Sequence, residues 1–330
     1  MHYGPLMIDL EGTTLNPKER ALLQHPAVGG VILFTRNYID KASLKALVVE
    51  IRTVANKPIL IAVDHEGGRV WRFHKDFTKL PAARRYGQEF KEDPEAAKKF
   101  AQNAGWVMAA ELLDCEIDLS LAPVLDLDKG VSAVIGDRAF ERDPKIVSQL
   151  AKAFIDGMNS VGMQATGKHF PGHGSCAPDS HFSEAIDDRT LDEMLNEDLI
   201  PFKELSASLG AVMPSHVVYP KVDSVPAGYS KRWLQDILRK QLGFNGAIIS
   251  DCLSMKGAAI GGDFVVRARM ALDAGCEMVI LCQQERSLMQ WVLDNLDRET
   301  SAESHQRLSR LVGNFQNEKR KLKRPVLVES

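Results

Sequence analysis

Three histidines, a lysine and an aspartate share one short stretch, Lys168-His169-Phe170-Pro171-Gly172-His173-Gly174-Ser175-Cys176-Ala177-Pro178-Asp179-Ser180-His181. Histidine exchanges protons near neutrality, with an unperturbed pKa of about 6.5. Asp179 precedes His181 by two residues. A carboxylate so close can fix the ring's tautomer and stabilise the imidazolium, as the orienting aspartate of serine hydrolases does. A solvated helix-entry turn is the other use of such a triplet. Two glycines and two prolines keep the stretch out of regular helix. It reads as a mobile loop, with Lys168-His169 fixed at a strand end, Gly172-His173-Gly174 flexing, and Asp179 and His181 carried on the moving part.

Asp251 is the second chemical feature. It follows the apolar run Gly246-Ala247-Ile248-Ile249-Ser250, where the chain turns toward a helix. A carboxylate there can face a central site while Cys252 points elsewhere; a helix N-cap is the alternative. Lys168, Arg72 and Arg138 with Asp64 form a third set. Charged donors around one acceptor grip hydroxyls firmly, which suits a sugar ring and would also suit a phosphate. Zinc needs weighing, because His169, His173, Asp179 and His181 are ligand types. Their spacing matches no compact zinc signature, and Lys168 would set a positive charge beside the ion. No metal or cofactor is expected.

These groups need a scaffold, and the chain supplies an alternation. Apolar runs occur at residues 5–10, 28–34, 58–63, 117–124, 163–166, 211–213, 246–250 and 276–281. Helical patterns separate them. Asn16-Pro17 and Asp143-Pro144 give the cap-then-proline signal, and Thr190 with Glu193 suggests a capping box. Helices are predicted over 43–54, 94–114, 144–161, 188–209, 230–242 and 264–274, with an irregular section from Gly67 to about Phe90. Nearly continuous apolar runs mark strands buried on both faces. The reading is an α/β fold, a (β/α)₈ barrel of the TIM type, with 1–330 one catalytic domain and 319–330 a flexible basic tail. No Gly-x-Gly-x-x-Gly follows the first run, which argues against a dinucleotide-binding sheet.

Such barrels carry catalytic groups at the C-terminal ends of their strands. The third run ends in Asp64-His65-Glu66-Gly67-Gly68-Arg69, with Arg72 beyond it. The fourth leads to Asp126, Asp128 and Arg138, the fifth to Lys168-His169, the sixth to His216 and the seventh to Asp251. Any one of these could merely cap a helix; together they point to a single mouth.

Composition removes other classes. Of the 330 residues 45% are hydrophobic and 26% charged, and the net charge is −3. That gives no reason to expect nucleic acid or a membrane as partner. The N-terminus lacks signal-peptide regions, and no apolar run approaches the roughly 18 residues of a membrane span. Five cysteines without a Cys-x-x-Cys pair suggest a reduced, cytoplasmic protein. A monomer is expected.

Asp64-His65-Glu66-Gly67-Gly68-Arg69-Val70, Lys168 through Gly174, Asp179-Ser180-His181 and Ser250-Asp251-Cys252-Leu253-Ser254-Met255 together resemble family 3 glycoside hydrolases. More narrowly, they resemble the short bacterial β-N-acetylglucosaminidases of cell-wall recycling. Residues 30–37 and 135–140 fit as well, and the likeness runs from about Gly4 to Leu281. The resemblance implies Asp251 as nucleophile, His181 as acid/base and Asp179 as its dyad partner. It further implies that Asp64, Arg72, Arg138, Lys168, His169 and His216 hold an N-acetylglucosamine ring, and that the substrate is a muropeptide. Two positions depart from the family's pattern: Cys252 stands where aspartate is usual, and His65 where glutamine is usual. A phosphorylase on the same scaffold and a non-catalytic sugar-binding protein are the competing readings.

Overall fold

A computed structural model describes residues 2–176, 185–317 and Pro325. Asp179, His181 and all of the 319–330 tail but Pro325 lie outside the described residues.

Eight parallel strands build the central sheet: β1 (Leu6–Asp9), β2 (Val28–Leu33), β3 (Leu60–Val63), β4 (Leu119–Ser120), β5 (Thr166–Phe170), β6 (Ala211–Pro214), β7 (Ala247–Cys252) and β8 (Met278–Leu281). Their order is β4-β3-β2-β1-β8-β7-β6-β5. The two ends of the sheet meet through a parallel bridge between Val124 and Lys168. The Thr166 N–H donates to the Ala122 carbonyl at 2.8 Å, and the Leu125 N–H to the Lys168 carbonyl at 2.6 Å. The sheet is a barrel, as the alternation of runs and helices predicts.

Side chains alternate across each strand. Met7, Ile32, Leu60, Ala62, Ala211, Met213, Ala247, Ile249, Met278 and Ile280 pack together inside the barrel. Their strand neighbours Leu6, Ile8, Val31, Ile61, Val63, Val212, Ile248 and Val279 join the larger core under the helices. Both faces are dry, so both parities are apolar, and the runs read as unbroken. Counting on by two from the inner residues reaches Asp64 after Ala62 and Asp251 after Ile249. The alternation that fills the barrel also aims these carboxylates at its mouth.

Helices α1 (Pro17–Gln24), α2 (Lys41–Ala55), α3 (Ala83–Phe90), α4 (Pro94–Asp114), α5 (Pro144–Ser160), α6 (Leu191–Leu195), α7 (Leu199–Leu205), α8 (Phe264–Ala274), α9 (Arg286–Asn295) and α10 (Ala302–Ser309) surround the sheet. Among the described residues no helix is long and apolar enough to cross a membrane. Capping boxes close at Asn16 with Glu19 and at Thr190 with Glu193. Asp143 accepts from the Lys145 N–H at 2.8 Å.

Three local expectations need correction. The helix expected over 188–209 is two helices, because Pro201 lacks an N–H to bond the Glu197 carbonyl and its ring would clash there. The helix expected over 230–242 is a wide one, Arg232–Gln241, with π-type bonding. The section after Gly67 is not wholly irregular, since it contains α3. That helix hides its signals: Ala82 offers no side-chain cap, and Gly87 and Pro81 read as breakers. Gly87 is there for packing, since a Cβ would stand 1.9 Å from the Phe140 carbonyl oxygen. A small sheet of residues 185–186, 217–219 and 223–226 was not expected either. Its first strand, 185–186, pairs in parallel with Val217 and Val218.

Candidate active site

The C-terminal ends of the strands open on a cavity of about 660 Å³. Its wall includes Asp64, Arg72, Arg138, Lys168, His169 and Asp251 from the expected set. Glu66, Arg69, His173, Cys252 and Cys282 join them.

A buried ion network forms one side. Lys168 is 2% exposed. Its Nζ lies 2.7 Å from Asp64 Oδ1 and 2.6 Å from Glu66 Oε1. Arg138 forks onto Glu66, with Nε and Nη2 each 2.8 Å from a carboxylate oxygen. Burial alone would raise the Glu66 carboxyl, but Arg138 and Lys168 outweigh it and hold it well below the usual carboxylate range. Burial lowers Lys168 while Asp64 and Glu66 raise it, and the carboxylates prevail. The network therefore keeps Lys168, Arg138 and Glu66 charged at the cavity wall.

Behind it, Asp126 is fully buried and organises the start of the histidine-rich stretch. Its Oδ2 is 2.7 Å from His169 Nδ1, and its Oδ1 accepts from the His173 N–H at 2.7 Å. Arg138 Nη2 reaches to 3.5 Å from His169 Nε2. Burial pushes Asp126 up, but His169 and His173 pull it down further, so it stays ionised.

At Gly172-His173-Gly174, where flexing is expected, the structure shows specific contacts. The Gly172 N–H donates to the His169 carbonyl at 2.8 Å, and the Tyr219 hydroxyl donates to the Gly172 carbonyl at 2.5 Å. A Cβ on Gly174 would stand 1.9 Å from the Leu127 carbonyl oxygen. Both glycines let the chain pass close to its neighbours.

Asp251 sits across the cavity. Its Oδ1 accepts from the Cys252 N–H at 2.7 Å. His216, expected in the sugar-holding set, lies outside the described cavity wall. It is 1% exposed and its Nε2 is 3.1 Å from the Cys252 carbonyl. Burial lowers His216, while the negative charge of Asp251 raises it in part. Cys252 does not point away, as simple alternation implies: it lines the cavity beside Asp251. The β7–β8 register shifts between Ile249 and Cys252, which breaks the alternation at the strand's end.

The glycosyl hydrolase family 3 N-terminal domain matches residues 6–312. The chain belongs to glycosyl hydrolase family 3. A β-hexosaminidase from Tolumonas auensis is 52% identical over 308 residues, covering 93% of this chain and 90% of its own. One from Thiobacillus denitrificans is 51% identical over 314 residues, covering 95% and 87%. The crystal structure of NagZ from Neisseria gonorrhoeae in complex with N-trifluoroacetyl-D-glucosamine matches with a TM-score of 0.91 at 42% identity, over 97% of this chain and 93% of that one.

Glu66 and Asp126 were legible in this family 3 sequence only as polar residues near strand ends, not as members of the site set. Their signal is the company they keep. A buried lysine and arginine require carboxylates, and Asp64 alone cannot neutralise both. His65 is the reverse case. It packs against Phe73 and Phe77, with ring centroids at 5.6 and 5.5 Å, rather than toward the cavity. Burial, with Arg72 and His74 nearby, lowers it to about 3.

His65 consequently stays neutral when folded and takes a proton at about pH 6.5 when unfolded. As pH falls from 6.5 toward 3, only the unfolded state gains that proton, so stability drains away across this window. The full span is on the order of 5 kcal/mol. His65→Gln is expected to flatten the fall in urea midpoint between pH 7 and pH 4.5 relative to the parent. Parallel curves would remove His65 as the source.

Proposed function

We propose that this family 3 enzyme is a retaining exo-β-N-acetylglucosaminidase that removes terminal N-acetylglucosamine from muropeptides. The coarse activity, β-hexosaminidase, rests on the two relatives at about 50% identity over most of their length. The observation that carries the finer reading is the pairing of Asp251 with the Lys168–Asp64–Glu66–Arg138 network around one sugar-sized cavity.

In this reading Asp251 attacks the anomeric carbon and forms a covalent glycosyl-enzyme. His181, oriented by Asp179, protonates the departing oxygen and then deprotonates the water that releases the sugar. Asp64, Arg72, Arg138, Lys168 and His169 hold the ring hydroxyls through charge-assisted bonds. His216 acts from behind, through the backbone that carries Asp251. The N-trifluoroacetyl-D-glucosamine bound by the gonococcal protein supports an N-acyl glucosamine as the ring held here. A monomeric enzyme acting in the cytoplasm on cell-wall fragments completes the proposal.

The acid role has its own test. With His181→Ala, aryl glycosides of good leaving groups are expected to lose little turnover. Poor leaving groups are expected to lose about 10²–10⁴-fold, the usual worth of a general acid. Equal losses along the leaving-group series would take the proton donor away from His181.

A further inference from the structure

Cys252 and Cys282 meet in the cavity wall, on the adjacent ends of β7 and β8. Their sulfurs are 2.8 Å apart, and Cys252 Sγ is also 3.0 Å from Ser254 Oγ. Both cysteines line the cavity, with Cys252 partly exposed and Cys282 at 4% exposure. The other three, Cys115, Cys176 and Cys276, are buried elsewhere. Cys252 has lost its strand alternation to the register shift with β8, which is what turns it toward Cys282.

We propose that Cys252 and Cys282 form a dithiol modification site, which a hydroperoxide entering the cavity closes to a disulfide. The Cys252 thiolate attacks one peroxide oxygen, the O–O bond breaks, and the leaving oxygen takes a proton to become an alcohol or water. Cys252 is then a sulfenic acid. The Cys282 sulfur attacks the Cys252 sulfur, the S–O bond breaks, and water leaves with the Cys282 proton. Two thiols are oxidised and one peroxide is reduced.

The two sulfurs are unequal in the sense the reaction needs. Cys252 is partly exposed to the cavity, whereas Cys282 is buried behind it at 4% exposure. Cys252 is thus the attacking group and Cys282 the resolving one. Closure would bear on Asp251. The Cys252 N–H is held by Asp251 Oδ1 at 2.7 Å, and the Cys252 carbonyl lies 3.1 Å from His216 Nε2. Drawing Cys252 to a bonded S–S separation of about 2.05 Å shifts both supports of the carboxylate. The consequence for turnover rests on the reading of Asp251 above; the chemistry of the dithiol does not.

The test treats the full chain with limiting hydrogen peroxide, then maps peptides by mass without reductant. A single link between the Cys252 and Cys282 peptides is expected, reversed by dithiothreitol. Cys282→Ser is expected to leave a dimedone-reactive sulfenic acid at Cys252, and Cys252→Ser to leave Cys282 unreacted. If either variant fails to fold, the map of the parent chain decides. Turnover of an aryl β-N-acetylglucosaminide is expected to fall at least about tenfold on oxidation and to return on reduction. Links through Cys115, Cys176 or Cys276, or over-oxidation of Cys252 without a link, would overturn the proposal, and full activity in the linked form would overturn its bearing on Asp251. A reduced chain without glycosidase activity counts against the hexosaminidase reading, and the mass map still decides the dithiol.

Discussion

Asp251→Asn is expected to lower turnover of an aryl β-N-acetylglucosaminide by about 10⁴-fold or more, with little change in folding. Asparagine keeps the shape of the side chain and an oxygen for the Cys252 N–H, now 2.7 Å from Asp251 Oδ1. What is lost is the negative charge, which His173 and His216 both feel in the parent. A neutral amide is too weak a nucleophile to form the glycosyl-enzyme. In the parent, a 2-fluoro sugar with a good leaving group should form that intermediate and fail to lose it. Its mass is expected on the peptide carrying Asp251. A label on another carboxylate would move the nucleophile, and no label with full turnover would favour attack by the substrate's own acetamido group.

The barrel was legible because its strands are dry on both sides, so each shows as a short continuous apolar run. The carboxylates at their ends were legible for the same reason. Asp64 and Asp251 continue the inward parity of Ala62 and Ile249, and a charge is conspicuous where that parity stops. What could not be read depends on contacts between distant segments. Nothing near Asp126 in sequence announces that it bonds two histidines more than forty residues away. Nothing in the sequence near Gly172 and Gly174 shows that they lie against the Asp198 side chain and the Leu127 carbonyl. A glycine that permits motion and one that permits contact are the same letter. Cys252 is the sharpest instance, because its direction is set by a register shift with β8 rather than by its own strand.

The ion network makes the second large prediction. Glu66→Gln is expected to destabilise the fold by about 3 kcal/mol at pH 7, the lower end for breaking a buried charge pair. Arg138 loses the carboxylate on which it forks, and Lys168 keeps only Asp64. Glutamine fills the same volume, so packing is not the cause. The pH dependence separates charge from shape. The folded Glu66 carboxyl is held well below the ordinary range by Arg138 and Lys168, against the opposing effect of burial. Its contribution is therefore complete above the unfolded pKa of about 4.3 and is lost progressively as pH falls below that value. The gap in urea midpoint between parent and variant should be widest at pH 7 and narrow by about 1 kcal/mol of stability at pH 3.5. Acid-induced loss from His65 is common to both proteins and cancels in the difference. A gap that stays constant with pH would mean that glutamine disturbs packing, and that Lys168 and Arg138 do not depend on the Glu66 charge.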